Sequence, residues 1–145
     1  MKRILVGLDA SPRSKDVLDV GVRLAKGLGA KLILFRGVGI PIEIPHEAYS
    51  IEPASLGDLL EASAKAYLDD VAKSLPAGLV ERVHVALGTP WQTICKAAKD
   101  ENVDLIIIGS HGYDALDHLI GTTAGRVVNH ADRSVLVVRA ADRVT

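Results

Sequence analysis

Five short apolar runs punctuate the chain: Arg3–Leu8, Lys31–Phe35, Glu81–Leu87, Asp104–Ile108 and Ser134–Val138. Three hold unbroken aliphatic stretches: Ile4-Leu5-Val6, Leu105-Ile106-Ile107-Ile108 and Val135-Leu136-Val137-Val138. Such continuity marks strands covered on both faces, as in parallel sheets. Val83-His84-Val85-Ala86-Leu87 alternates more and is expected nearer an edge.

Helical periods fill the gaps. Val17, Val20, Leu24 and Leu28 follow Ser11-Pro12, where Ser11 suits a cap and Pro12 the first turn. Leu56, Leu60, Ser63, Tyr67, Val71 and Leu75 form a second stripe, stopped by Pro76 and Gly78. Pro90 to Lys99 predicts a third helix with Ile94, Cys95 and Ala98 facing in. Thr122 to Ala131 predicts a fourth, with Val127, Val128 and Ala131 apolar. The order βαβαβαβαβ predicts an open five-stranded parallel sheet, doubly wound, with helices on both faces and right-handed crossovers. No linker, repeat or low-complexity tract divides residues 1–145, so one domain is expected. The irregular stretch Gly39 to Pro53 has two readings, a lid or binding loop and a surface excursion.

Composition narrows the partners. With 17 basic and 18 acidic side chains, the net charge is −1, which lacks the positive excess that nucleic acid or an anionic membrane needs. Aromatics make up 3%, too few for base-stacking platforms. No apolar run reaches the ~18 residues of a membrane span. The N-terminal apolar run is cut short by Asp9, which suits a strand and not a secretion signal. Cys95 is the one cysteine, which excludes an internal disulfide and fits a reducing compartment. A cytoplasmic protein is expected.

In open α/β sheets, ligands bind beyond the C-terminal ends of the strands, where strand order reverses. The loops there are Gly7-Leu8-Asp9-Ala10-Ser11, Gly37-Val38-Gly39 and Gly109-Ser110-His111-Gly112, with Gly121-Thr122-Thr123 opening the last helix. Glycines let backbone N–H groups approach an anion, and a helix start adds partial positive charge. Thr122 and Thr123 add hydroxyls. Together these read as a phosphate cradle, although Gly109 and Gly112 also suit a plain tight turn. Asp9 can accept from a base or ribose, or share a cap with Ser11. His111 is read as lying near phosphate, because imidazole gains charge near neutral pH.

Other chemistries fit less well. No G-x-x-x-x-G-K-[ST] is present, and Gly27-Leu28-Gly29-Ala30-Lys31-Leu32 ends a helix where a P-loop would begin one. No G-x-G-x-x-G follows the first strand, which weighs against a dinucleotide site. Ser110-His111 lacks the G-x-S-x-G elbow of a hydrolase. Asp114, Asp117, His118 and His130 match no metal-ligand spacing. His118 and His130 are read as solvated, Cys95 as a packing residue, and Trp91 as a cover for the sheet edge.

The chain resembles the single-domain universal stress proteins over nearly its whole length. The resemblance rests on Lys2-Arg3-Ile4-Leu5-Val6-Gly7-Leu8-Asp9-Ala10-Ser11, Gly88-Thr89-Pro90, the strand Asp104–Ile108 with its loop Gly109–Gly112, and Ala131-Asp132-Arg133-Ser134 with the closing strand. It implies an adenine-nucleotide α-hydrolase-like fold. It implies ATP, its phosphates held by Gly109, Ser110, His111, Gly112, Gly121, Thr122 and Thr123, and its base and ribose met by Leu8, Asp9 and Val38. It implies a homodimer paired along Ser134–Val138. Magnesium is read as a companion of the phosphates, since the chain has no ligand motif of its own and magnesium commonly binds that way. Eight residues separate Gly112 from Gly121, one short of the spacing seen in ATP-binding members. Three readings follow: an ATP-binding regulatory protein in stress response, with hydrolysis slow at most; a non-nucleotide dimeric adaptor of the same family, which the short spacing favours; and an enzyme of the wider fold. The last expects Ser-Gly-Gly-x-Asp-Ser or His-x-x-His after the first strand, where this chain has Asp9-Ala10-Ser11.

Overall fold

The computed structural model describes residues 1–39, 53–110 and 120–139. Its elements run β1 (Arg3–Gly7), α1 (Ser14–Leu28), β2 (Lys31–Val38), α2 (Pro53–Lys73), β3 (Val80–Leu87), α3 (Pro90–Asp100), β4 (Leu105–Gly109), α4 (Thr122–His130) and β5 (Ser134–Val138). All strand pairs are parallel, in the order β3-β2-β1-β4-β5. β1 lies at the centre, where Ile4 is opposite Leu32 on one side and Leu105 on the other. The order reverses between β1 and β4.

The unbroken apolar runs have a direct structural cause. Successive strand residues point to opposite faces, and both faces are covered. Ile4, Val6, Leu32, Leu34 and Ile107 pack with Val17 and Ala25 of α1 and Leu68 of α2. Leu5, Ile33, Phe35, Ile106 and Ile108 pack with Ile94, Ala97 and Ala98 of α3 and Ala124 and Val127 of α4. Each fully buried side chain of this size contributes about 1.5–3 kcal/mol. β3 and β5 form the two edges. Val83–Leu87 is half-buried, as its alternation predicts. Val135–Val138 is also only half-buried, although its unbroken run reads as a strand covered on both faces, because β5 has a neighbour on one side alone.

The helices depart from the sequence reading in three places. α1 opens at Ser14 and not at Ser11-Pro12, because the Ser11 side chain serves a turn: its Oγ accepts the Arg13 N–H at 3.3 Å. The inner line of α2 runs through Ala64 and Leu68, while Ser63 faces solvent, since a hydroxyl gains nothing from the apolar interface. Val127 is buried on α4, but Val128 points outward. α1 ends at Gly29, whose φ of 67° is left-handed, and the Ala30 N–H closes the turn on Ala25 O at 2.9 Å. The glycine-rich Gly27–Lys31 stretch is therefore a helix stop.

Asp104 anchors the entry to β1. Its Oδ2 accepts the Lys2 N–H at 2.6 Å and the Arg3 N–H at 3.0 Å. The Arg3 and Lys2 N–H groups hold its carboxyl below the usual range. A lowered carboxylate pKa stabilises the fold above the unfolded value and is lost as pH falls through the folded one. Asp104→Ala is expected to lower the urea midpoint at pH 7. The difference from the parent should shrink below about pH 4. A pH-independent difference would show that the carboxylate charge contributes nothing.

Candidate functional site

A cavity of about 620 Å³ opens at the C-terminal ends of β1 and β4, where the strand order reverses. Small-molecule sites of ordinary size span roughly 300–1,000 Å³. Three groups of residues enclose the space. The apolar floor comes from Val17, Phe35, Ile94 and Ile108, with Pro90 beside them. The β1–α1 loop gives Gly7, Leu8, Asp9, Ser11, Arg13 and Ser14. Facing it are Gly109 and Ser110 after β4 and Gly121, Thr122 and Thr123 at the start of α4.

The β1–α1 loop is held by its own acid. Asp9 Oδ1 accepts the Ser11 N–H and the Ser14 hydroxyl, both at 2.9 Å. Ala10 between them sits at φ 62°, a left-handed conformation that costs a non-glycine residue about 1–3 kcal/mol and persists only when its surroundings enforce it. Asp9 thus acts in the shared cap and also lines the cavity. Ser11 and Ser14 are buried.

The opposite wall is tied to the sheet edge. The Ser110 N–H donates to Val138 O at 2.8 Å, and the Gly121 N–H donates to Ser110 O at 2.7 Å. These bonds set the first turn of α4 beside the end of β4. Gly121 is the N-cap and has no side chain to cap the helix. The first N–H groups of a helix lack intrahelical acceptors and carry partial positive charge. The exposed Thr122 and Thr123 add hydroxyls at the same point. One half of the cavity is therefore apolar and the other rich in hydrogen-bond donors.

The cavity brings together Leu8, Asp9, Gly109, Ser110, Gly121, Thr122 and Thr123. Val38 is not on its wall: Gly37 lines the cavity, and Val38 pairs with Leu87 while its carbonyl accepts the Gly88 N–H at 2.9 Å. His111 and Gly112 lie outside the described residues, as do Asp114, Asp117, His118 and residues 40–52. Gly37 stands in the candidate loop Gly37-Val38-Gly39, whereas Arg13, Ser14, Phe35, Pro90 and Ile94 were not among the candidates. Arg13 and Ser14 carried a signal, being polar residues just after Asp9. Phe35 and Ile94 carried none, since a cavity floor and a core look alike in sequence.

Other candidate groups have structural roles. Burial, and then the nearby Asp132 carboxylate, push the Cys95 thiol up, away from the reactive thiolate. Trp91 packs among the α3–α4 residues and stacks on exposed His130 with ring centroids 4.6 Å apart. Among the described residues, no three His, Cys, Asp or Glu side chains gather as metal ligands. No described helix is long and apolar enough to cross a membrane.

Residues 1–139 match the universal stress protein family. The chain belongs to that family. Universal stress protein A homolog 2 of Coxiella burnetii is 31% identical, with 95% of this chain and 94% of the relative covered. The structure of universal stress protein UspA from Lactobacillus plantarum superposes with a TM-score of 0.76 at 25% identity, covering 95% of this chain and 97% of that one. A universal stress protein in complex with cAMP shares the fold, with a TM-score of 0.66 at 22% identity and coverage of 97% and 98%.

Proposed function

We propose that this universal stress protein is a regulatory protein that binds ATP in the cavity between β1 and β4. The observation carrying the reading is the two-part wall: an apolar floor faces the start of α4, whose N-cap Gly121 makes no side-chain cap bond, in one space of about 620 Å³. An adenine ring suits the floor of Phe35, Ile94 and Pro90, with Leu8 and Asp9 at the ribose. Phosphates suit the first turn of α4 and the hydroxyls of Thr122 and Thr123, because anions are favoured at helix N-termini. Gly109 and Ser110 lie beside that turn. In this reading the contact assigned to Val38 passes to Gly37. A divalent ion enters as a companion of the phosphates, since Asp9 is the one carboxylate on the described walls and its Oδ1 is engaged. Such phosphate-borne binding is common for magnesium. Its single cysteine suits a reducing cytoplasm.

The same proposal makes the protein a homodimer paired along β5. That strand is an edge with half-buried Val135, Leu136, Val137 and Val138. An uncovered apolar edge is otherwise a route to aggregation. The eight-residue spacing between Gly112 and Gly121 favours the second reading, a dimeric adaptor without nucleotide.

Native mass spectrometry of the purified protein, with and without added ATP, separates the readings. The expected result is a dimer that takes up one ATP per chain. A dimer that stays empty supports the adaptor. Leu136→Lys is expected to shift the dimer towards monomer, and an unchanged oligomer would remove β5 from the interface.

A further inference from the structure

We infer that Thr93 is a positioning residue for the base end of the cavity. Through Thr93 the first turn of α3 rests on the ends of β2 and β3, and this seat sets where Gly37 and Pro90 stand against a planar base. The role rests on the nucleotide reading above and falls to a residue that is not itself on the cavity wall. Gly37 and Pro90 bound that end of the cavity, with Phe35 and Ile94 as floor. None of the four offers a polar side chain to a base. The fit of a base there depends on where these groups stand, and a supporting residue can govern it without touching the ligand.

Two glycines make room for the Thr93 side chain. A Cβ on Gly37 would lie 2.6 Å from Thr93 Oγ1 and 3.4 Å from both Phe35 Cε1 and Pro90 Cα. A Cβ on Gly88, where φ is 139°, would lie 3.2 Å from Thr93 Cγ2. Gly88 is itself held to β2, its N–H donating to Val38 O at 2.9 Å. The hydroxyl and the methyl of one threonine thus each sit against a glycine backbone, one near the end of β2 and one just after β3. The hydroxyl also donates to Pro90 O at 2.9 Å, and the Thr93 N–H donates to Thr89 O at 3.0 Å. The Thr89 side chain makes no cap bond, and proline has no N–H, so the side-chain bond of this turn comes from Thr93. Valine has nearly the shape of threonine, but its second methyl would press on Gly37 and leave Pro90 O without that bond.

Isothermal titration of the full chain with ATP and with inorganic triphosphate tests this, beside thermal melting to show that each variant is folded. Thr93→Ala drops the hydroxyl without adding bulk, and Thr93→Val drops it while keeping the shape. Each is expected to weaken ATP about three- to tenfold, the range of one lost hydrogen bond. Inorganic triphosphate has no base and suits the start of α4, so its affinity should change by less than about twofold. Thr93→Ser keeps the hydroxyl and, on ATP alone, should stay within about twofold of the parent. Parent-like ATP affinity in Thr93→Ala and Thr93→Val would overturn the inference. So would an equal loss for both ligands, which would mark general loosening, or a Thr93→Ser protein as weak as Thr93→Ala. A parent that takes up neither ligand would instead overturn the nucleotide reading beneath it.

Discussion

Gly21→Val should be the most damaging single change to the fold, with a loss of about 3 kcal/mol or more. Gly21 sits where α1 crosses the centre of the sheet. A Cβ there would lie 2.8 Å from Val6 Cγ2, with Ile107 Cδ1 at 3.9 Å. Val6 and Ile107 are fully buried, so neither can swing into solvent. Either α1 lifts from β1 and β4 or the core side chains leave their rotamers. Domains of this size hold only about 5–15 kcal/mol in total. A fall in Tm of order 10 °C follows from such a loss. The same helix supplies a control. Gly27 has nothing within 4 Å of an added Cβ. Gly27→Ala should therefore stabilise by about 0.5–1 kcal/mol, through helix propensity alone. Equilibrium urea unfolding reads both. A Gly21→Val protein within about 0.5 kcal/mol of the parent would show that the helix–sheet contact is looser than the geometry implies.

The largest effect on binding is expected from Thr123→Glu. Thr123 is exposed in the first turn of α4 and lines the cavity. A carboxylate there occupies the place proposed for phosphate and repels the ligand. It also suits the helix start, where an acid contributes about 0.3–1 kcal/mol. Stability should hold or rise while ATP affinity falls about a hundredfold, since lost charged contacts and like-charge repulsion add. Titration calorimetry beside thermal melting separates the two effects. ATP affinity within about threefold of the parent, on an intact fold, would move the phosphate site away from α4.

These two sites show unequally in the sequence. The strands are legible because a strand covered on both faces must be apolar at every position, as Ile4, Leu5 and Val6 are. The α4 end of the cavity is legible because a glycine followed by two threonines reads as a helix start, and that start lines the cavity. The floor is not. Phe35 and Ile94 belong to the same packed layer as Leu5 and Ile106, and only topology turns their upper surfaces towards a cavity. The start of α1 was obscured because Ser11 can cap a helix or close a turn, and the choice depends on Asp9 reaching back to the Ser11 N–H. Gly37 and Val38 differ by one register step, and β3 pairing decides which reaches the wall.

The place of β1 also has a consequence for synthesis. Ile4 meets Leu32 on one side but waits for Leu105 on the other. While the chain is being made, one edge of its most central strand stays vacant until β4 emerges. Vacant edges of this kind invite pairing between nascent chains. The cavity is bounded by the ends of both strands and by the start of α4, so it forms only after that gap has closed. Any ligand held there would recognise finished molecules alone, and would draw the population towards completion by mass action.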